Sequence, residues 1–336
     1  MTTIHHSALI LLLVVFCTGC KNQGKNGQDM SISIDSLLSI RYQNLLKYPD
    51  DSLSFPRSYT RADSTVRKVR SSDWTSGFFP GNLWQLYRLT GNTAFKDKAM
   101  AWTHFVEKEK FNNRTHDMGF KVFCSFGNGY RITDNAGYKN IILKSAQTLA
   151  TRFNENVGSL RSWDFNRDIW EFPVIVDNMM NLELLFEATK LSGDSTFHKM
   201  AVTHANTTLK NHFRDDGSSY HVVVYDTLTG SVKDKVTHQG LNDGSAWARG
   251  QAWGIYGYTM CYRYTKDPAY LEQAQKSAQF YLEHPNLRED GIPYWDFDDP
   301  AIPNAPRDVS AATVVASAFL ELDQYVDNPE YRTYAQ

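Results

Sequence analysis

One pattern recurs along this chain and limits what it can fold into. An aromatic-rich helix is followed by a short polar turn and then by an amphipathic helix. Each turn combines a helix stop with Thr, Ser, Asp or Asn, which can cap the next helix. The turns lie at residues 90–92, 133–135, 192–194, 265–267 and 326–328. Such self-similar helix pairs stack as αα-hairpins around a shared core.

The copies are unevenly spaced because long insertions separate them, whereas a regular solenoid would have tighter spacing. Insertions on one face of a closed ring favour an all-α (α/α)6 toroid with binding loops at one rim. Apolar spacing predicts about eleven helices over residues 31–336, beginning with one at 31–48. A six-hairpin barrel needs about twelve, so we expect this domain to be C-terminally incomplete, ending before the last inner helix.

Two non-helical stretches interrupt this pattern. Residues 50–70 are polar and are predicted to form a loop. Residues 219–226 alternate as a strand does, which predicts half of a small β-hairpin that closes near residues 229–230. The sequence therefore predicts one β-hairpin insertion in an otherwise helical chain.

The N-terminal segment resembles a processing signal. Its apolar run at residues 8–16 is too short to span a bilayer and fits a secretory signal. Small residues before Cys20 resemble a bacterial lipoprotein processing site. We therefore predict a signal peptide at residues 1–20, lipidation of Cys20 and a flexible tether at residues 21–30. The predicted protein is a periplasmic lipoprotein of a Gram-negative bacterium, which contacts the membrane only through its lipid anchor.

Composition excludes several classes of function. A formal net charge of −2 does not favour nucleic acid or an anionic membrane surface as a partner. Aromatic residues make up 13% of the chain, enough for a core and an aromatic-lined groove. Cys124 and Cys261 have no metal-binding or redox motif around them, and buried free thiols are favoured over a disulfide. With no phosphate-binding loop either, we predict neither a metal nor a cofactor.

Two aspartates are candidates for chemistry. Asp177 follows the apolar run at residues 172–176 and opens a predicted helix. It is either a helix N-cap or a buried general acid whose pKa is raised. Asp117 also has two interpretations, a helix cap or a second carboxylate that converges on Asp177. Paired carboxylates are what glycoside chemistry requires.

Aromatic and basic side chains suggest a sugar-binding surface. Trp74 lies in a turn rich in Gly and Pro, where an aromatic ring suits sugar stacking. Arg249 and Trp253 are four residues apart and share a helix face. A guanidinium binds carboxylates by paired hydrogen bonds, while an indole stacks on a sugar ring. The alternative interpretation is a core Trp and a solvated Arg.

Together, segments 74–81, 116–120, 177–182 and 247–253 resemble the unsaturated glucuronyl hydrolases, glycoside hydrolase family 88. The resemblance covers nearly all of the predicted mature chain and implies an (α/α)6 barrel. It implies that Asp117 and Asp177 are the two catalytic aspartates. It also implies substrate-binding roles for Trp74, His221, Gln239, Arg249 and Trp253. Trp163 and Trp170 are further candidates for stacking.

The resemblance also implies an activity. Family members act on lyase-generated oligosaccharides, such as glycosaminoglycan disaccharides, whose non-reducing uronic acid has a C4=C5 double bond. Asp177 would protonate C4 and then activate water, and Asp117 would orient the substrate or tune Asp177. Three alternatives remain: the unsaturated rhamnogalacturonyl hydrolases of family 105, a non-catalytic lipid-anchored glycan-binding protein, and a sugar epimerase on the same barrel. The motif aspartates argue against an epimerase, because those enzymes rely on histidine pairs.

Overall fold

The computed structural model describes residues 33–336. The predicted signal peptide, the lipidation site at Cys20 and the tether at residues 21–30 lie outside these residues. Among residues 33–336, no helix combines the length and apolar composition needed to cross a bilayer.

The described chain contains eleven α-helices, the number that the apolar spacing predicts. They are α1 (Ile34–Leu46), α2 (Phe78–Thr90), α3 (Thr93–Val106), α4 (Asn128–Thr133), α5 (Ala136–Ala150), α6 (Asn178–Ser192), α7 (Ser195–Asn211), α8 (Ala248–Thr265), α9 (Pro268–Glu283), α10 (Val309–Leu322) and α11 (Pro329–Ala335). A 3₁₀ turn at Glu107–Phe111 and a π-helix at Gly119–Gly127 lie between α3 and α4.

The five predicted hairpins are confirmed as pairs of neighbouring helices, and local capping explains their turns. Gly91 adopts a left-handed backbone with φ of 68° and ends α2, where a residue without Cβ is favoured. Asn92 then caps α3, because its side chain accepts a hydrogen bond from Ala94 N at 3.0 Å. Equivalent caps begin the second helix of the other four hairpins: Asn135, Asp194, Asp267 and Asn328.

The predicted toroid is confirmed. Its inner layer follows the series α2, π-helix with α4, α6, α8 and α10, each packed against the next. The outer helices α3, α5, α7, α9 and α11 cover this layer, and α1 packs on α2 and α3. The inner helices begin at the same rim, so the loops before them meet there. Residues 33–336 contain no counterpart of a sixth inner helix.

Residues 50–70 are not the predicted loop. They form an antiparallel hairpin of β1 (Phe55–Thr60) and β2 (Thr65–Val69). Phe55 is buried, but most other side chains of the two strands are exposed or half-buried. The prediction was wrong because strands without a buried face lack apolar alternation.

The predicted insertion hairpin is confirmed as β6 (Val222–Tyr225) and β7 (Val232–Val236). A third strand, β5 (Pro173–Ile175), pairs with β6 and completes a sheet of order β5-β6-β7. A separate short pair, β3 (Phe153–Asn154) and β4 (Ser159–Leu160), precedes β5. Pairing of Ile175 with Val222 brings the residues after β5 beside those before β6.

Both cysteines in the described chain are free thiols, as the sequence analysis favoured. Cys261 is fully buried in the helical core. Burial raises the pKa of the partly buried Cys124 thiol to about 12. Both side chains therefore act as small apolar groups rather than as nucleophiles.

Candidate active site

Asp177 stands at the junction of β5 and α6, at the rim of the barrel. Its backbone is already helical, with φ of −58° and ψ of −26°. Within the described chain, its side chain makes no capping hydrogen bond. The simple N-cap interpretation is therefore wrong, because the carboxylate is directed to other groups.

The surroundings of Asp177 favour its protonated form. The residue is 8% exposed. Burial raises the pKa of the Asp177 carboxyl to about 7, and the nearby negative charge of Asp117 adds to this rise. The positive charge of Arg249 and the indole of Trp253 oppose it. A carboxyl that titrates near neutral pH can both donate and accept a proton during a reaction.

A close contact joins the segment that carries Asp117 to the helix that follows Asp177. Phe120 N donates to Asn181 Oδ1 at 3.1 Å, which joins the π-helix to α6. A Cβ on Gly119 would lie 2.8 Å from Asn181 Cα, closer than side-chain carbons approach. Gly119 therefore permits this approach, which gives a reason for the Gly two residues after Asp117 and for Asn181 four residues after Asp177.

Asp117 differs from Asp177 in accepting a hydrogen bond from a neighbouring hydroxyl group. Thr115 Oγ1 donates to Asp117 Oδ2 at 2.7 Å. His116 Nε2 lies 3.0 Å from Asp117 Oδ1, and His116 Nδ1 donates to Ser162 O at 2.8 Å. Burial lowers the pKa of His116. The hydrogen bond from Thr115 fixes the direction of the Asp117 carboxylate.

His221 lies directly before β6 and faces Asp177. Its Nδ1 accepts hydrogen bonds from His238 N at 2.9 Å and from Gln239 N at 3.1 Å. Backbone amides only donate, so the proton of the neutral ring is on Nε2. This nitrogen is 3.7 Å from Asp177 Oδ2. Burial lowers the pKa of His221 to about 3, so the ring is a neutral hydrogen-bond donor.

Gln239 enters the site through its backbone. Its backbone N–H donates to His221 Nδ1, whereas the residue as a whole is exposed. Sequence reasoning placed the Gln239 side chain on the substrate and did not identify this contact.

Arg249 reaches the site from the first turn of α8. Its Nη1 donates to Asp308 Oδ2 at 2.5 Å, just before α10. Its guanidinium lies 4.9 Å from the ring centroid of Trp247. We predicted a guanidinium beside the Trp253 indole, but the stacked indole is Trp247. Asp308 and Trp247 were missed because sequence spacing carries no sign of their contacts with Arg249.

Aromatic rings form one wall of the site. Phe120 lies between Trp74 and Trp253, with ring centroids 5.5 and 5.3 Å away. Together with Arg249, these rings line a pocket of about 850 Å³ that extends into the barrel. The alternative interpretation of Trp253 was a core residue. Its side chain is indeed only 5% exposed, but it lines this pocket. The predicted aromatic surface is therefore present, with Phe120 as an additional member.

A second pocket of about 530 Å³ opens beside Asp117. Thr115, Trp163 and Phe165 are among its lining residues. The rings of Trp163 and Phe165 stack with centroids 4.9 Å apart and planes 14° apart. Trp170 packs at 5.2 Å from Trp163, behind the pocket wall. Asp117 is itself one of the residues that line this second pocket.

Comparison with known proteins agrees with this geometry. Residues 54–296 match Glycosyl Hydrolase Family 88. The chain belongs to this family. A Formosa agariphila protein named unsaturated glucuronyl hydrolase is 55% identical over 100% of this chain and 85% of its own length. A Streptococcus pyogenes protein named unsaturated chondroitin disaccharide hydrolase is 30% identical over 91% of this chain and 77% of its own length.

A solved family 88 structure has the same fold. The crystal structure of an unsaturated glucuronyl hydrolase specific for heparin matches with a TM-score of 0.86 and 45% identity. It covers 90% of this chain, which covers 80% of that protein. These matches favour family 88 over the alternative of family 105.

Proposed function

We propose that this family 88 chain hydrates the C4=C5 double bond of the terminal unsaturated uronic acid in glycosaminoglycan disaccharides, and so releases the aglycone. The observation that carries the proposal is the buried Asp177 carboxyl, whose pKa is raised to about 7 beside Asp117. The names of the Formosa agariphila and Streptococcus pyogenes relatives support this substrate class. The aromatic pocket supports binding of a sugar ring.

The proposed reaction begins at the enol ether formed by the ring oxygen and the double bond. Asp177 donates its proton to C4, which leaves an oxocarbenium-like cation at C5. Water adds to C5 while Asp177 takes back a proton, so the carboxyl is restored. The resulting hemiketal opens and expels the aglycone as an alcohol. One carboxyl can serve both steps because its pKa lies near neutral pH.

Asp117 has an electrostatic role in this scheme. Its negative charge contributes to the raised pKa of Asp177 and so keeps the acid protonated. The same charge stabilises the cation that forms at C5. Its hydrogen bond from Thr115 holds the carboxylate in place for both tasks.

Three groups are suited to bind the uronic acid. Trp253 and Trp74 offer faces for the sugar ring, and Arg249 offers N–H groups for its carboxylate. Asp177 Oδ2, His221 Nε2 and Trp253 Nε1 are buried without hydrogen-bond partners within residues 33–336. Buried polar atoms are normally paired, so hydroxyl groups of a bound sugar are their natural partners. The rim pocket beside Asp117 is placed to receive the aglycone.

The test follows the ultraviolet absorbance of the double bond in unsaturated chondroitin, hyaluronan and heparin disaccharides. We expect the absorbance to fall with the wild-type protein. Asp177→Asn should slow the fall in absorbance by about 10²- to 10⁴-fold, because it removes the proton donor. Asp194→Asn is the matched control, since Asp194 is an exposed cap of α7.

Two results would contradict the proposal. Binding without turnover by the wild-type protein would indicate the glycan-binding alternative. An unchanged rate in Asp177→Asn would reject Asp177 as the acid. The pH dependence of kcat gives a further check: activity should fall as the pH rises through about 7, because Asp177 then loses its proton.

We also propose that the mature protein is anchored in the periplasm through a lipid on Cys20. The short apolar run and the small residues before Cys20 support this. Labelling cells with a radioactive fatty acid should mark the wild-type protein and not Cys20→Ala. Equal labelling of both proteins would reject the proposed site.

A further inference from the structure

One fully buried serine joins the two segments that carry the candidate aspartates. Ser162 lies shortly after β4 and is 0% exposed. Its backbone N–H donates to Pro173 O at 2.9 Å, so it lies beside the start of β5. Its carbonyl oxygen accepts from His116 N at 3.2 Å and from His116 Nδ1 at 2.8 Å. The backbone of Ser162 therefore contacts both β5 and the residue next to Asp117.

The hydroxyl group of Ser162 binds residues on either side of Asp177. Ile175 comes shortly before Asp177, and its backbone N–H donates to Ser162 Oγ at 2.9 Å. Ser162 Oγ in turn donates to Asn178 Oδ1 at 2.9 Å, and Asn178 directly follows Asp177. One side chain thus holds the last residue of β5 and the first residue of α6. Asp177 lies in the turn between them.

The donors and acceptors around this hydroxyl match. A backbone amide such as Ile175 N can only donate, whereas a serine hydroxyl can accept from it and still donate to an amide oxygen. Asn178 is also 0% exposed, and its Nδ2 donates to Leu160 O at 2.8 Å, which fixes the direction of its side chain. Loss of the Ser162 hydroxyl would take these buried partners away from Ile175 and Asn178, which is unfavourable.

The turn that carries Asp177 has a second anchor of a different kind. Val176 N donates to His221 O at 3.1 Å, which holds the turn from the side of β6. This bond joins two backbone groups, so a change of side chain does not remove it. The bonds to Ser162 Oγ hold the same turn from the segment after β4, and they depend on one side chain. Ser162 is therefore the anchor of Asp177 that a substitution can remove.

We propose that Ser162 is a positioning residue: its hydroxyl group fixes the turn between β5 and α6 and so places the Asp177 carboxyl at the carbon that it protonates. This inference rests on the proposed function. Proton transfer needs a close and aligned donor, and a misplacement of about 1 Å can slow a reaction roughly 10²-fold. Ser162 is fully buried and its hydroxyl is occupied by protein groups, so it acts through Asp177 rather than on the substrate.

The test is steady-state kinetics of Ser162→Ala on an unsaturated disaccharide. Loss of the hydroxyl should lower kcat about tenfold and change KM by less than about twofold, because the groups that bind the sugar stay in place. Ser162→Thr keeps the hydroxyl and should recover most of kcat. If Ser162 served stability alone, Ser162→Ala would lower the denaturant midpoint and leave kcat of the folded protein unchanged.

Ser277→Ala is the matched control. Ser277 is also 0% exposed, and its Oγ also donates one hydrogen bond and accepts one. It donates to Gly217 O at 3.1 Å and accepts from Gln273 Nε2 at 2.9 Å. Ser277 belongs to the outer helix α9, and these two partners do not flank Asp177. Ser277→Ala should therefore lose stability without a change in kcat.

The outcomes separate this inference from the proposed function. No turnover by the wild-type protein would reject the function and, with it, this inference. A wild-type kcat in folded Ser162→Ala, an equal loss of kcat in Ser277→Ala, or no recovery in Ser162→Thr would reject only the role of Ser162. If Ser162→Ala does not fold, Ser162→Cys decides, because a thiol of similar shape is a weak hydrogen-bonding group. A lower kcat in Ser162→Cys supports the role, and an unchanged kcat overturns it.

Discussion

The two ends of the inner helices differ in how far their buried polar and charged side chains are paired. At the rim where these helices begin, Asp177 Oδ2 and His221 Nε2 are buried without partners in the described structure. Toward the other end, Arg263 donates to both oxygens of Glu321 at 2.7 and 2.8 Å and to Glu183 at 2.9 Å. Arg131 also donates to Glu183, at 3.0 Å. These four residues, which we call the charged belt, link α4, α6, α8 and α10.

The difference shows how one set of helices serves two purposes. Paired charges in the charged belt stabilise the contacts between neighbouring helices. Unpaired polar atoms at the rim lower stability but leave groups free to meet a substrate. Substitutions at the two ends should therefore change stability in opposite directions.

The largest expected effect on stability is at Asp177. Its pKa of about 7 in the folded protein exceeds its ordinary value of 3.8. Between these values the folded state holds a proton that the unfolded state has lost, so wild-type stability falls as the pH rises from about 4 to 7. Asp177→Asn lacks this loss and should be more stable above pH 7, by on the order of 4 kcal/mol.

Urea unfolding at several pH values measures this gain. The two proteins should converge below about pH 4, where the carboxyl is protonated in both states. The control Asp194→Asn should show no gain, since hydrogen bonds at the α7 cap lower the pKa of Asp194. A constant difference across the pH range would reject the raised pKa of Asp177.

At the charged belt, Arg263→Met should destabilise the fold by about 2 kcal/mol. This is less than the 3–5 kcal/mol for a fully buried pair, because the Arg263 side chain is 30% exposed. Arg332→Met is the control: Arg332 also donates two hydrogen bonds to one carboxylate, Asp323, but is 63% exposed. Its loss should cost under about 1 kcal/mol.

Denaturant midpoints test this prediction, and kcat of the folded protein should stay unchanged in both arginine variants. Equal destabilisation by the two variants would contradict the special role of the charged belt.

The smallest expected effect is at the aromatic wall of the rim. Trp253→Ala should raise KM about tenfold through lost ring contact, with a smaller change in kcat. Trp253→Phe keeps a ring and should recover most of the binding. Steady-state kinetics on an unsaturated disaccharide measures both constants. A fall in kcat at constant KM would place Trp253 in the chemical step instead.

Much of the fold could be predicted from the sequence because its signals are local. Asn92 caps the helix that follows it within two residues, and the apolar spacing of each helix repeats every few positions. The hairpin at residues 55–69 escaped prediction because its strands are largely exposed. In the candidate site, the segments around Asp117 and Asp177 could be found as motifs, although they are far apart in the chain.

The sequence by itself determined the hairpin repeat, the family and the residue types at the rim. Only the tertiary structure decided what surrounds each of them. A pKa depends on burial and on charges across space, so the roles that we propose for Asp177 and Asp117 depend on their different neighbours rather than on their motifs. The same holds for Arg249, whose guanidinium donates to Asp308, the residue that caps α10.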